Sequence, residues 1–160
     1  MDDLGTLLRF LHVLGVAAWL GGMLFLGLVA VPAARALGEE GAGRRVITAV
    51  ARRFGLLGGT AWVLILATGF GLLDRRGLSL GDLPDTDYGK RVLAKLCLLL
   101  ATGVAVLLHG LWQGPRVRRA EEAGDAATRR RWALVGAGLD AFMLLATLAA
   151  LWLAVSLVPS

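Results

Sequence analysis

The sequence predicts an all-α integral membrane protein, a four-helix bundle with short loops and both termini on the extracytoplasmic side. Hydrophobic residues make up 57% of the chain and charged residues 18%, with a mean hydropathy of +0.70. A soluble domain has about a quarter of its residues charged. The apolar residues form four continuous runs, each long enough as a helix to cross a hydrocarbon core about 30 Å thick. Basic residues fill the gaps between the runs, as in multi-pass membrane proteins.

The four apolar runs define the helices of a single transmembrane domain over residues 1–160. These helices are predicted at about 5–34, 50–74, 89–113 and 130–158. Asp2 and Asp3 precede the first run, where a cleavable signal has basic residues, so this run is predicted to be a span. A charge cluster or a proline (Pro32, Pro115 or Pro159) is predicted to end each run. Because apolar and polar residues do not alternate, helices are predicted and not barrel strands.

Lysine and arginine counts assign the two sides of the membrane. The first gap contains Arg35, Arg44, Arg45, Arg52 and Arg53, and the third contains Arg116, Arg118, Arg119, Arg129, Arg130 and Arg131. In the middle gap four cations are offset by four carboxylates. The first and third gaps are therefore predicted to be cytoplasmic. We predict a multi-pass protein of the bacterial cytoplasmic (inner) membrane, with lipid rather than nucleic acid as the partner of its basic loops.

Four ionisable side chains lie well inside the runs, namely His12, Lys95, His109 and Asp140. Such groups cost about 2.5–3.5 kcal/mol to insert and are functional candidates by default. Counting along the helices places His12 and Lys95 within about two turns of the outer face. His109 lies roughly 21 Å deeper than Lys95, so the two histidines are not predicted to bind one metal ion.

His12 and Lys95, the two ionisable residues near the outer face, have the features of a haem site. Arg9 and Arg91 each lie one turn above His12 and Lys95, where guanidinium groups are placed to bind propionates. The stripe below His12 is made of Gly15, Trp19 and Gly22, and its glycines leave room for a flat ring. We therefore predict haem b near the outer face, with His12 and Lys95 as iron ligands. The alternatives are arginines and a lysine that reach the headgroups and a histidine that bonds a neighbouring helix.

His109 and Asp140 form a second predicted pair. Because the third helix runs inward and the fourth outward, both residues lie near the cytoplasmic side at similar depth. A structural hydrogen bond is one interpretation of this pair. A proton path or a quinone contact is the other.

Two segments carry a resemblance to a known family. The residues LHVLGVAAWLGG at 11–22 resemble the first helix of the copper-resistance D (CopD) superfamily. HemJ-type protoporphyrinogen oxidases resemble that superfamily and share a histidine seven residues before a tryptophan, followed by a glycine. The segment YGKRVLAKL at 88–96 is similar to the third-helix signature, whose lysine falls on Lys95. The resemblance implies a b-type haem associated with His12 and Lys95.

The chain departs from the HemJ pattern after Gly22, where the residues MLFLGL replace the usual proline–arginine, so protoporphyrinogen oxidation is not predicted. Soft ligands for copper are not clustered in the sequence, which makes copper the less favoured metal. We predict a haem protein with a redox or electron-transfer role, of which a haem-dependent membrane oxidoreductase is one form. A quinone or respiratory-chain partner and a homodimer are compatible with it. The alternatives are a CopD-type copper transport or resistance protein and a non-catalytic assembly subunit of a respiratory complex.

Overall fold

The computed structural model describes residues 3–37 and 42–156. Over these residues the secondary structure is helical, without strands. The long helices are α1 (Asp3–Ala36), α2 (Ala42–Asp74), α3 (Asp87–Glu122) and α4 (Ala126–Val155). Among the described residues, these four helices have the length and apolar content needed to cross a membrane. The predicted all-α class with four spanning helices is confirmed, whereas the orientation of the termini stays a prediction.

Prolines inside α1 and α3 do not end these helices, contrary to the prediction. Each one is preceded by a π-helical turn, Leu26–Ala30 before Pro32 and Leu108–Gln113 before Pro115. Proline lacks an N–H group, and its ring meets the carbonyl four residues earlier in a regular α-helix. A wider turn at that point accommodates the ring, so both helices continue past their prolines, and α3 extends to Glu122, beyond its predicted end near residue 113.

Caps and glycines set the limits of the later helices. Thr86 and Asp125 accept hydrogen bonds from the N–H groups of Gly89 and Thr128, which begins α3 and α4. Gly77 and Gly124 follow the ends of α2 and α3 with φ of 67° and 68°. Glycine adopts this left-handed conformation without a Cβ penalty, which permits the short turns that follow.

The chain packs as two compact units, Met1–Ser79 and Leu80–Ser160. In the first unit α1 and α2 pack antiparallel, because Leu8 meets Gly71 while Trp19 meets Phe54 farther along α1. A Cβ at Gly15 would lie 3.0 Å from the Ile65 side chain and 3.3 Å from the carbonyl oxygen of Ala61. Gly15 therefore permits close approach of the two backbones, as small residues do in lipid.

The second unit is built on α3 and α4 with a short 3₁₀ helix, Leu80–Asp85. Leu83 of that helix is fully buried, and its backbone occupies the place of a Cβ at Gly89. Near the other end of α3, Gln113 is buried and its amide nitrogen donates to the carbonyl oxygen of Trp132 on α4, 2.8 Å away. These contacts anchor the unit at both ends of α3.

Large apolar side chains cover much of the molecular surface. Leu28, Leu111 and Trp152 are 73%, 76% and 74% exposed. Exposure on this scale would be costly in water but is favourable against lipid tails. The protein is therefore a multi-pass membrane protein in a lipid bilayer.

Candidate functional site

His12 lies at the contact between α1 and α2 in the first unit. Its ring nitrogen Nδ1 is 2.9 Å from the hydroxyl oxygen of Thr68, which is itself 3% exposed. The same hydroxyl donates to the carbonyl oxygens of Leu64 at 2.5 Å and Ile65 at 3.3 Å. Thr68 thus connects the His12 ring to the backbone of α2.

These hydrogen bonds fix the tautomer of neutral His12. The Thr68 hydroxyl has one proton, and that proton is donated to α2 carbonyls, so its oxygen accepts from Nδ1–H. The lone pair of the ring is therefore on Nε2. A histidine that binds a metal ion usually donates its other ring N–H to a second group, which orients the ring. His12 has the same arrangement, because its Nδ1–H donates to Thr68 while Nε2 carries the lone pair.

Close packing around His12 holds the ring against α2. A Cβ added at Gly69 would lie 3.4 Å from Cε1 of the imidazole. About one and three turns farther along α1, the predicted glycine stripe is occupied: Ile65 fills the space at Gly15, and the Phe54 ring occupies the place of a Cβ at Gly22. Trp19, 8% exposed, stacks on Phe54 with ring centroids 5.8 Å apart and meets Trp62 edge-on. In the first unit these residues therefore act in helix packing.

The other residues of the predicted haem site are distributed over both units. Arg9 is exposed on α1. In the second unit Lys95 is half-buried on α3, and Arg91 donates from its guanidinium to the carbonyl oxygen of Ser156 at the end of α4, 2.7 Å away. His12 precedes Pro32 by the same number of residues as Lys95 precedes Pro115. The two nitrogen-bearing residues thus hold corresponding positions before the π turns of α1 and α3.

The second polar pair lies within the second unit. Nδ1 of His109 is 3.6 Å from a carboxylate oxygen of Asp140, so α3 and α4 bring these two residues together. His109 belongs to the π turn Leu108–Gln113. Its side chain and that of Asp140 are 40% and 60% exposed.

Sequence reasoning missed three residues near these sites. Thr68 gave only a weak signal, because it is one of two threonines, Thr60 and Thr68, within the second apolar run. Gln113 was visible as an amide at the end of the third run, and it bonds to α4 as described. The guanidinium of Arg116 lies 4.3 Å from the ring centroid of Trp112 and 5.1 Å from that of Trp132, a cation–π cluster that only tertiary packing assembles.

Within residues 3–37 and 42–156, no three histidine, cysteine or acidic side chains are grouped closely enough to hold a metal ion. Residues 48–157 match the family model described as Copper resistance protein D. The matched segment contains Lys95, His109 and Asp140, and begins after α1 and His12. No curated protein and no solved structure matches the chain.

Proposed function

We propose that this chain, a member of the copper resistance protein D family, carries copper ions as cargo along its membrane-spanning helices, with His12 as a copper ligand. The family match covers most of the chain and supports a copper-related role. The observation on which the proposal depends is the His12–Thr68 hydrogen bond in an apolar part of the first unit.

His12 has the properties of a copper ligand. Imidazole nitrogen is a good donor to copper, and the hydrogen bond from Nδ1 to Thr68 places the lone pair of the neutral ring on Nε2. Thr68 restricts rotation of the ring, and α2 packs against Cε1 at Gly69. A ligand oriented in this way loses little conformational entropy when the ion binds. Thr68 is the residue that positions His12.

Other donors for copper lie within the spans. Met23 and Met143 provide thioether sulfur, and Cys97 provides a thiol. Met143 is 6% exposed in the second unit, whereas Cys97 is exposed. Soft sulfur ligands favour Cu(I). We propose Cu(I) as the transported form.

The proposal is tested with the full chain reconstituted in liposomes. Cu(I) binding is measured by competition with a coloured chelator, and uptake is measured by the metal content of the vesicles. We expect His12→Ala to weaken Cu(I) binding by at least tenfold and to lower uptake in parallel. Thr60→Val is the matched control, because that hydroxyl bonds only within α2, to the carbonyl oxygen of Leu56 at 3.0 Å. Binding and uptake unchanged by His12→Ala would contradict the proposal.

A second candidate function is haem binding, in which Nε2 of His12 would bind the iron. His12 orients Nε2 as haem-ligating histidines do, and the HemJ resemblance implies a b-type haem with Lys95 as the other ligand. The filled space at Gly15 and Gly22 favours a small ion over a porphyrin on the α2-facing side of α1. Haem binding would give a Soret band after supplementation of the purified protein, and this band would decrease in His12→Ala and Lys95→Ala. The absence of such a band would eliminate this candidate. The quinone, respiratory and homodimer partners and the bacterial location stay predictions.

A further inference from the structure

The His109–Asp140 pair of the second unit has an unusual geometry. Nδ1 of His109 lies 3.6 Å from the Asp140 carboxylate, beyond the length of an ordinary N–H···O hydrogen bond. That nitrogen atom is also buried and has no hydrogen-bond partner among the described residues. A buried polar atom without such a bond is costly, so its retention in an apolar span needs an explanation.

The fold holds the two residues at one level. Pro115 follows the π turn that contains His109, and such a turn changes which side chains of α3 face α4. One turn after His109, the amide of Gln113 donates to the carbonyl oxygen of Trp132, and it occupies the space beside Gly136. These contacts fix α3 against α4 immediately next to the pair.

A carboxylate at this depth is stable only with a compensating charge or proton. Burying Asp in a span costs about 2.5–3.5 kcal/mol, and intramembrane Asp and His residues often form proton relays. When Nδ1 of His109 accepts a proton, the imidazolium faces the Asp140 carboxylate at ion-pair distance. When it releases the proton, the pair returns to a neutral imidazole beside a carboxylate.

We propose that His109 and Asp140 together form a proton-binding site, and that this site exchanges a proton with water as copper moves through the protein. The only bond made or broken is the Nδ1–H bond, with water as the source and acceptor of the proton. The coupling to copper rests on the proposed function, whereas proton binding by the pair does not. Proton release compensates for the positive charge of an arriving Cu(I) ion.

Few charged side chains lie near the His109–Asp140 pair on α3 and α4. Arg116 is the cation on the continuation of α3, and it is held over Trp112 and Trp132 with one nitrogen donating to the Trp112 carbonyl oxygen at 3.0 Å. Lys95 lies inside α3, 14 residues before His109, and the remaining charged residues of α3 and α4 lie near the helix ends: Asp87, Lys90, Arg91, Arg118, Arg119, Glu121, Glu122, Arg129, Arg130 and Arg131. Asp140 is therefore the ionisable group that faces Nδ1 of His109.

The first test measures proton binding without copper. The protein labelled with ¹⁵N-histidine is titrated in nanodiscs, and the ring signals of His109 are assigned by their loss in His109→Gln. We expect the exchange of the Nδ1 proton of His109 with water, read from the ring ¹⁵N–¹H signals, to differ between the wild type and Asp140→Asn, because the asparagine carries no charge that faces this nitrogen. Thr102→Val is the control, since its hydroxyl bonds only within α3, to the Leu98 carbonyl oxygen at 2.8 Å. Identical exchange of this proton in Asp140→Asn would overturn the proposed site.

The second test measures coupling in liposomes that contain a trapped pH indicator. Addition of Cu(I) is expected to produce a proton flux in the wild type that falls at least fivefold in His109→Gln and Asp140→Asn. The double variant His109→Asp with Asp140→His exchanges the partners and is expected to restore part of the flux. Copper uptake without any proton flux would overturn the coupling while leaving the proposed function intact. Absence of copper uptake in the wild type would refute the proposed function, and the copper-free titration would still decide the proton site.

Discussion

The hydroxyl oxygen of Thr68 on α2 accepts a hydrogen bond from Nδ1 of His12 on α1, with the two atoms 2.9 Å apart. This contact joins the ionisable residue of one helix to a buried polar residue of its neighbour. It also determines which ring nitrogen of neutral His12 carries the lone pair. The chemistry proposed for the first unit follows from this relationship.

Replacement of Thr68 by valine tests this relationship directly. Valine keeps the shape of the side chain but removes the acceptor for Nδ1–H, so the ring loses its fixed tautomer. We expect Cu(I) affinity to fall by about 10–100-fold, as for other second-shell partners of metal ligands. Chelator competition on the purified protein measures this change. Unaltered affinity in Thr68→Val, with His12→Ala impaired, would show that Thr68 does not position the ligand.

Gly89 tests the packing of the 3₁₀ helix on α3. A Cβ at this position would overlap the backbone of Leu83, which cannot move aside as a flexible side chain can. We expect Gly89→Ala to destabilise the protein by about 1–3 kcal/mol, as overpacking does. Gly138→Ala on α4 is the control, since no atom lies within 4 Å of its added Cβ. Denaturation in mixed detergent micelles compares the two variants, and equal stability would contradict the predicted overlap.

Asp125 predicts a pH dependence at the start of α4. The hydrogen bond from the Thr128 backbone N–H, 2.9 Å long, lowers the pKa of the Asp125 carboxyl below its ordinary value. A lowered folded-state pKa gives a stabilisation that is present above the unfolded-state pKa and is lost as the pH falls through the folded-state pKa. Hydrogen exchange at the first turn of α4 should therefore rise in acid. In Asp125→Asn the acid-dependent part should disappear, and a wild-type profile in that variant would exclude this cause.

Gln113 predicts a modest contribution from an interhelical hydrogen bond. Gln113→Leu replaces the amide by an apolar side chain of similar length, and so it removes the donor to the Trp132 carbonyl oxygen. Interhelical hydrogen bonds in membrane proteins contribute about 0.6 kcal/mol on average and up to about 1.7 kcal/mol. We expect a loss within that range, measured by reversible unfolding in detergent. Thr60→Val, which breaks a bond within one helix, should change stability less. A larger loss in Thr60→Val would reverse this interpretation.

The sequence predicted the helices because apolar content and hydrophobic length depend only on residue identity. It failed at Pro32 and Pro115, where a rule about single residues predicted helix ends. Each helix accommodates its proline after a π turn, and the formation of such a turn depends on backbone geometry over several residues. For the same reason the predicted third helix stopped short of Glu122.

The sequence by itself determined that this chain is a membrane protein, because that follows from its composition. It also determined which ionisable residues the spans contain, because that follows from counting along each helix. Only the tertiary structure decided which partners those residues have. Thr68 beside His12, and Asp140 at 3.6 Å from His109, depend on the rotation of each helix about its axis. That rotation is set by close packing at positions such as Gly15 and Gly136, where helices meet through contacts that no single helix encodes.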